Sequence, residues 1–248
     1  MIVDARVCLG SSLFGYGQSL PEILAKMERL GIDKAVLVPV KPRDYHLAPM
    51  NELVADSLRK HPDHFLGLCR VDPWQGEAAL AEARRGLEHG ACGLYLDPWE
   101  ENFQANDRIL HPLLEEAERR KKPVVINAGH LRVSHPTQIS DIASRYPAVQ
   151  FVACNGGQIN ISGMLLFEAR RMLEACPNVA IETAGTYRED FIEEVVAEIG
   201  EERVLFASGS PIYDQEFEMA RIRFAHLTDM KKQKLWGTNA LRIFEHRP

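Results

Sequence analysis

The sequence lacks several features that would assign it to a functional class at once. No stretch approaches the ~18 uninterrupted apolar residues of a membrane-spanning helix, and Asp4 and Arg6 interrupt the first apolar residues, which argues against a signal segment. Basic residues form no long run and the net charge is −6, which argues against binding to nucleic acid. No G-x-G-x-x-G motif supports a dinucleotide-binding fold. We therefore expect neither nucleic-acid nor membrane partners.

Cysteine is also scarce. The chain has five cysteines, an odd number, and they form no C-x-x-C pair. Four of them lie in apolar, strand-like runs, as expected for buried, reduced thiols in a cytoplasmic protein. The five are Cys8, Cys69, Cys92, Cys154 and Cys176.

Short apolar segments alternate along the chain with longer amphipathic ones. The short segments have the composition of buried parallel strands; they are residues 2–8, 35–40, 65–70, 93–96, 124–127, 150–154, 179–183 and 204–207. The longer segments have the spacing of helices; they are residues 20–30, 50–60, 77–89, 107–121, 138–145, 162–175, 188–199 and 215–228. This alternation over 248 residues predicts an α/β fold, a (β/α)₈ TIM barrel that forms a single domain over residues 1–248. Residues 230–244 would add one or two C-terminal helices. A doubly wound open sheet is the alternative, because alternation alone does not show closure.

Polar residues follow the predicted strands, where the loops of a barrel form its active face. The longest irregular stretches, residues 10–19 and 97–106, also follow strands. Burying unpaired polar groups costs free energy, so this set predicts mutual hydrogen bonding or a bound ligand, and we favour a ligand. The residues are Arg6, Cys8, Arg70, Asp72, Tyr95, Asp97, Asn127, His130, Asn155, Gln158, Glu182, Ser208 and Ser210.

Four segments carry a more specific pattern. Residues 4–8 read D-A-R-V-C, residues 123–130 read P-V-V-I-N-A-G-H, residues 151–157 read F-V-A-C-N-G-G, and residues 203–211 read R-V-L-F-A-S-G-S-P. In that order they resemble D-x-H-x-H, P-V-x-x-H-x-G, x-x-x-H-G-G and R-x-x-F-x-S-D-x-P of the amidohydrolase-related family of TIM barrels. The resemblance runs through nearly the whole chain, and it implies metal-assisted hydrolysis or decarboxylation of aromatic acids. It also makes a homodimer plausible.

The metal ligands of that family are replaced in this chain. Arg6, Cys8, Asn127, Asn155 and Gly209 stand in the five ligand positions. A guanidinium cannot deprotonate to become a ligand, and it repels a divalent cation by roughly 4 kcal/mol per unit charge at ~4 Å and an effective dielectric near 20. Because a hydrolytic metal needs three or more good ligands, we expect no metal and no other cofactor.

Arg6 has two interpretations. It could anchor a carboxylate, because guanidinium groups bind carboxylates through paired hydrogen bonds. It could instead form a salt bridge with Asp4 or another acid and plug the barrel. Glu182 interrupts an apolar strand and needs a partner if it is buried, which Arg6 would supply from across the barrel.

The candidate catalytic residues are His130, Cys8 and Glu182. His130 follows Gly129 in a loop, and its unperturbed pKa near neutrality suits a general acid or base; a loop histidine with a structural hydrogen bond is the alternative. Cys8 could be a nucleophile that His130 activates, and a small buried thiol is the simpler interpretation. The other histidines lack metal-ligand spacing and are expected on the surface: His46, His61, His64, His89, His111, His135, His226 and His246.

The candidate binding residues include two tryptophans in D-P-W tripeptides. Trp74 and Trp99 could line an aromatic pocket or pack on proline turns, and backbone amides in residues 155–158 could bind an anion. The full binding set is Arg6, Asn127, Asn155, Gln158, Tyr95, Asp97, Trp99 and Ser208.

Three functions follow from these residues. The leading one is a metal-independent hydrolase or lyase that hydrolyses a lactone or ester, or decarboxylates an acid, on a small anionic molecule. In it, Arg6, Asn127 and Asn155 hold a carboxylate and His130 transfers a proton. The alternative is a catalytically silent barrel that acts as a small-molecule-binding or partner subunit. The third is a metal site rebuilt from Cys8, Cys154, His130 and Glu182, which would need Cys154 to point inward, where we place its neighbour Asn155.

Overall fold

The computed structural model describes residues 1–158, 164–186 and 188–245. Within these ranges, nine β-strands form one sheet in the order β2-β1-β3-β4-β5-β6-β7-β8-β9. They are β1 (Val3–Ser11), β2 (Gly17–Gln18), β3 (Lys34–Pro39), β4 (Phe65–Arg70), β5 (Gly93–Leu96), β6 (Val124–Ile126), β7 (Phe151–Ala153), β8 (Val179–Glu182) and β9 (Val204–Leu205). The short β2 pairs antiparallel with β1, and the remaining pairs are parallel.

Hydrogen bonds between the two ends of the sheet close it into a barrel. The amide of Ala5 donates to the carbonyl of Phe206 at 2.9 Å, and that of Cys8 to the carbonyl of Ser210 at 2.8 Å. Val7 and Ser210 also form a parallel bridge. The eight parallel strands therefore form the predicted TIM barrel, which is confirmed, and the open-sheet alternative is wrong.

Helices cover the outside of the barrel. They are α1 (Leu20–Leu30), α2 (Leu47–Lys60), α3 (Glu77–Glu88), α4 (His111–Arg120), α5 (Pro136–Arg145), α6 (Met164–Ala175), α7 (Glu189–Glu198), α8 (Gln215–Phe224), α9 (Asp229–Gln233) and α10 (Asn239–Phe244). The predicted bounds of α1 hold because local signals fix them: the Glu22 carboxylate accepts from the Ser19 amide at 2.7 Å, and Gly31 ends the helix at φ 69°. The predicted start of α6 at residue 162 lies outside the described residues, and a π-helical turn, Lys234–Thr238, separates α9 from α10. No helix in the described ranges is long and apolar enough to cross a membrane.

Side chains alternate between the two faces of the strands, and this sorts the core into two layers. Leu94 and Ile126 belong to the layer between the sheet and the helices, whereas Leu68, Val125 and Val152 belong to the layer inside the barrel. The apolar residues inside come from the middle and amino-terminal parts of the strands. Polar side chains cluster at the opposite end, where the strands finish, and this end is called the mouth below.

Candidate functional site

A buried ion pair lies at the centre of the mouth. Nη2 of Arg6, on β1, is 2.9 Å from Oε1 of Glu182, the last residue of β8, and both side chains are almost fully buried. The same Nη2 donates to Oδ1 of Asn155 at 2.6 Å. Burial is the largest single effect and works against the charge of Arg6, but Glu182 and the other acidic groups around it together hold the pKa of the guanidinium well above its usual value. The acid that pairs with the Arg6 guanidinium is thus Glu182, whereas the only hydrogen bond between Asp4 and Arg6 that the structure shows comes from the Arg6 backbone amide, at 3.3 Å.

Asn155 connects this pair to its neighbours through a change in backbone direction. Its φ of 58° lies in the left-handed region, so the chain leaves strand geometry immediately after β7. Its backbone amide donates to Oε1 of Glu182 at 2.9 Å, and its Nδ2 donates to Oδ1 of Asn127 at 3.1 Å. Cys154 also belongs to the inner layer, and its thiol forms a hydrogen bond with Glu182. The expectation that Asn155 faces inward and Cys154 does not is therefore wrong. Alternation along the strand no longer applies where the backbone turns.

Asn127 extends the network to the other side of the mouth. Its Nδ2 donates to Oδ2 of Asp97 at 2.9 Å, and the hydroxyl of Tyr95 donates to the same oxygen at 3.2 Å. Nη2 of Arg70, the last residue of β4, lies 3.9 Å from that oxygen, and its guanidinium stacks 5.5 Å from the centre of the Tyr95 ring. Two buried guanidinium groups therefore lie at opposite ends of one polar network, in which hydrogen bonds join Arg6 to Asp97 and a longer ion pair joins Asp97 to Arg70.

A short loop segment closes the mouth over Arg70. Residues 98–102, here called the strap, follow β5 and supply Glu100 and Glu101. Nη2 of Arg70 contacts Oε2 of Glu100 at 2.5 Å and Oε1 of Glu101 at 2.7 Å. The hydroxyl of Tyr16 donates to Oε1 of Glu100 at 2.8 Å, and Nζ of Lys41 lies 3.7 Å from Oε1 of Glu101. The strap thus neutralises the second guanidinium with its own carboxylates.

The two tryptophans lie on the outside of this closure. The indole nitrogen of Trp74 donates to the carbonyl of Glu101 at 3.1 Å, and Trp99 stacks on His130 with ring centres 4.3 Å apart. Both tryptophans are more than half exposed. They hold the strap and its surroundings in place, and they do not line a closed aromatic pocket in this structure.

A separate buried cluster surrounds Asp4 below the ion pair. Its carboxylate accepts from the Ser208 amide and from Nε2 of Gln215, both at 2.8 Å. Burial raises the pKa of Asp4 to about 6, although these hydrogen bonds lower it. The hydroxyl of Ser208 accepts from the amide of Ser210 at 3.1 Å and also hydrogen-bonds the Asp4 carboxylate, so in this structure it connects its own loop to Asp4.

The candidate catalytic residues do not form one group. Cys8 is buried within the influence of both Arg6 and Arg70, and burial raises the pKa of its thiol to about 11, so it is protonated at neutral pH. His130 is only partly buried at the rim, where its amide donates to the Ser134 hydroxyl at 3.1 Å. This environment does not favour Cys8 as a nucleophile that His130 activates. Gln158 is buried next to the Asn155 turn, and its amide donates to the carbonyl of Asn155 at 3.1 Å.

The remaining histidines stay away from the network. None of those that the structure describes is buried, in agreement with the expectation. His246 lies outside the described residues. The exposed ones are His46, His64, His89 and His226, and the partly buried ones are His61, His111 and His135.

The strap residues were missing from the predicted site. Glu100 and Glu101 follow the second D-P-W tripeptide, and Arg70 ends an apolar strand, so an unpaired buried cation was visible in the sequence. Which acids would reach Arg70 depended on the path of the loop, which local pattern does not reveal. Tyr16 and Lys41 come from two other loops and carried no signal of their own.

The residues of the mouth do not fit the divalent metal that the family resemblance implies. Among the described residues, no three His, Cys, Asp or Glu side chains are placed to hold one ion. A guanidinium lies between Asn155 and Glu182, and Gly209 leaves room for it, because a β-carbon there would lie 3.0 Å from Nη2 of Arg6. A cation at this position would meet the positive charge of Arg6 before any carboxylate.

Comparisons with known proteins agree with this fold. The sequence matches the amidohydrolase family over residues 12–245. The structure is similar to 5-carboxyvanillate decarboxylase LigW from Sphingomonas paucimobilis, with a TM-score of 0.80, 17% identity and coverage of 98% of both chains. It is similar to 2,6-dihydroxybenzoate decarboxylase from Rhizobium, with a TM-score of 0.77, 15% identity and coverage of 99% of this chain and 98% of that one.

A third similar structure contains bound ligands. It is 5-carboxyvanillate decarboxylase from Novosphingobium aromaticivorans, complexed with manganese and 4-hydroxy-3-methoxy-5-nitrobenzoic acid. Its TM-score is 0.80 at 16% identity, with coverage of 99% of this chain and 96% of that one. No curated protein sequence matches the chain. The family match covers nearly the whole sequence, and the chain belongs to the amidohydrolase family.

Proposed function

We propose that this protein is a metal-independent member of its family that binds a small carboxylate at the barrel mouth. In it, the buried pair of Arg6 and Glu182 takes the place of a metal at the centre of the fold. The observation that carries the proposal is the position of the Arg6 guanidinium, within 2.9 Å of both Asn155 and Glu182. Because the Arg6 guanidinium occupies the centre of the mouth and the Glu182 carboxylate is already paired with it, the protein acts as a binding barrel.

Two unpaired donors support a ligand in the mouth. Nε of Arg6 and Nε of Arg70 are both buried, and neither has a partner among the described residues. Buried donors without acceptors are rare because each costs free energy. A carboxylate oxygen is the acceptor that a guanidinium Nε binds best. The Tyr95 ring lies close to Arg70, and the similar solved structures include enzymes of hydroxylated aromatic acids, so an aromatic carboxylate is the ligand class that we propose.

The second candidate function is catalysis without a metal. His130 stacks on the exposed Trp99 at the rim and is itself only partly buried. A histidine in such a position can transfer a proton without a metal. A metal-independent lyase or hydrolase acting on an aromatic acid, lactone or ester is therefore the second candidate.

The proposal is tested by metal analysis and ligand titration on the same preparation. Elemental analysis of protein purified without chelator should find far less than one zinc, iron or manganese per chain. Titration with 2,6-dihydroxybenzoate or benzoate should raise the melting temperature, because a ligand specific for the folded state adds roughly 2.7 kcal/mol at a hundredfold excess over its Kd. Benzyl alcohol, which has no carboxylate, is the matched control and should have no such effect.

A double variant identifies the site. Arg6→Met with Glu182→Gln removes the central charges together and should abolish the benzoate effect, whereas Glu28→Gln on the exposed surface of α1 should retain it. A stoichiometric metal in the purified protein would contradict the metal-independent assignment. Equal benzoate binding by the wild type and the double variant would place the ligand elsewhere.

A further inference from the structure

We infer that Arg70 and Lys41 form a second carboxylate subsite, that Glu100 and Glu101 of the strap occupy it in the closed protein, and that a carboxylate ligand enters by displacing Glu100. This inference rests on the proposed function. It adds the route into the mouth and the residues that control it.

The contacts of Arg70 show a complete anion site filled from within the chain. Its Nη1 donates to the carbonyl of Pro39 at 3.2 Å, which fixes the plane of the guanidinium. Its Nη2 faces the strap and meets Glu100 at 2.5 Å and Glu101 at 2.7 Å. Asn51 supports the subsite from below, because its side chain accepts from the backbone amide of Arg70 and donates to its carbonyl, both at 2.9 Å. The cation is thus held by the barrel, and its partners come from a loop.

The net charge of the mouth depends on the strap. The barrel contributes three cations, Arg6, Arg70 and Lys41, and two anions, Asp97 and Glu182. Without the strap carboxylates the mouth therefore has a net positive formal charge, which attracts a carboxylate. The closed strap adds the Glu100 carboxylate, while the pKa of Glu101, raised to about 8, keeps that group largely protonated at neutral pH, so closure cancels the positive charge. An anionic ligand and the closed strap consequently compete for the same cations.

The two strap carboxylates also compete for the same nitrogen of Arg70. Glu100 and Glu101 are adjacent in sequence and share one nitrogen of Arg70, so part of the attraction of each is cancelled by the other. Oε2 of Glu101 is buried and has no hydrogen-bond partner among the described residues. Burial raises the pKa of Glu101 to about 8, although Arg70 and Lys41 lower it. The closed arrangement therefore holds its anions less well than a single bidentate carboxylate would be held.

The strap is attached in a way that permits this displacement. On its carboxyl-terminal side, Phe103 and Ala105 are buried among apolar residues, and they anchor the loop independently of the mouth. Between these anchors and Asp97 the strap is held by polar contacts, and Asn102 adopts a left-handed φ of 56° at its end. Opening the strap between these points breaks polar contacts and leaves Phe103 and Ala105 in place.

The experiment compares benzoate affinity in strap variants by calorimetry. Glu100→Gln removes the competing charge and should lower the apparent Kd for benzoate by ~10-fold or more, because a minor open state of 0.1–10% weakens binding in proportion to its population. Tyr16→Phe removes the donor to Glu100 without changing any charge, and it should lower the Kd in the same direction by a smaller factor. Glu28→Gln is the matched control and should leave the Kd unchanged.

Proteolysis reports the movement of the strap itself. A glutamate-specific protease should cut wild-type protein after Glu100 or Glu101 faster when benzoate is present, because cleavage follows the population of the open form. An unchanged Kd in both strap variants, or slower cleavage with benzoate, would overturn the inference while leaving the proposed binding function intact. Absence of benzoate binding in the wild type and in every variant would overturn both.

Discussion

Gly209 makes room for the guanidinium of Arg6. The glycine has a φ of 63°, and a β-carbon on it would lie 3.0 Å from Nη2 of Arg6 and 3.1 Å from the β-carbon of Ala184. Its amide also donates to the carbonyl of Arg6 at 3.0 Å. Gly209 stands where the family pattern has its aspartate, so the absence of that side chain and the presence of the arginine are two parts of one arrangement.

Replacing Gly209 with alanine should destabilise the protein by about 1–3 kcal/mol, because an L-residue at this φ is strained and the new methyl group crowds Arg6. Denaturant titration would measure the change. Gly31 is another left-handed glycine, and a β-carbon there meets nothing within 4 Å. Gly31→Ala therefore measures the cost of backbone strain without a steric contact. An equal loss in both variants would mean that contact with Arg6 contributes nothing.

Replacing Arg6 with methionine should destabilise the fold by about 3–5 kcal/mol, because it leaves Glu182 charged, buried and without its cation. Adding Glu182→Gln should recover at least half of that loss, since the neutral amide keeps an acceptor for the Asn155 amide. The two single variants and the double variant form a cycle that gives the coupling energy. Simple additivity would show that the pair is not coupled.

Asp4 should make stability fall as pH rises through the acid range. Its pKa is raised from 3.8 to about 6, so the folded state binds the proton more tightly than the unfolded state. The stabilising contribution of the protonated form is complete below pH 3.8 and is lost as pH passes 6. It amounts to about 3 kcal/mol at most.

Asp4→Asn should therefore flatten the pH dependence of unfolding between about pH 4 and 6, measured by urea titration at closely spaced pH values. The Asn side chain keeps an acceptor for the Ser208 amide. Glu28→Gln controls for the loss of one negative charge. A variant with the same slope as the wild type would assign that slope to other carboxyl groups.

His130→Asn should reduce any turnover of hydroxybenzoates, lactones or aryl esters by ~10²–10⁴-fold, and chelators should have no effect. His135→Asn is a suitable comparison because that histidine caps α5 and lies outside the mouth network. Undiminished turnover in His130→Asn would remove this residue from the mechanism. Zero turnover in the wild type would argue against the catalytic candidate and leave binding as the only proposed function.

Periodicity revealed the barrel because each strand and helix carries its own local signal. The bounds of α1 and the order of the strand–helix units follow from alternation, capping residues and glycine placement. The pairing of Arg6 with Glu182 was also foreseeable, since a lone acid in an apolar strand requires a cation. These predictions succeed because the residues concerned have local requirements that can be recognised in the sequence.

The features that were predicted wrongly or missed depend on geometry that no local sequence pattern contains. Cys154 was assigned outward by strand alternation, but Asn155 adopts a left-handed conformation and the alternation stops there. Glu100 and Glu101 reach Arg70 only because the loop after β5 crosses the mouth. A loop path is set by distant contacts, such as those of Trp74 and Tyr16, and sequence spacing does not record them.

The left-handed Gly209 and the ion pair beside it also determine which substitutions can follow one another. Histidine at position 6 alone would leave the Glu182 carboxylate in the interior without its guanidinium, and aspartate at position 209 alone would force a side chain against Nη2 at an unfavourable φ. Each of these single steps towards the ligand pattern that the family resemblance implies therefore passes through a less stable protein. Because positions 6, 182 and 209 share these contacts, a change at one of them is expected to require compensating changes at the others.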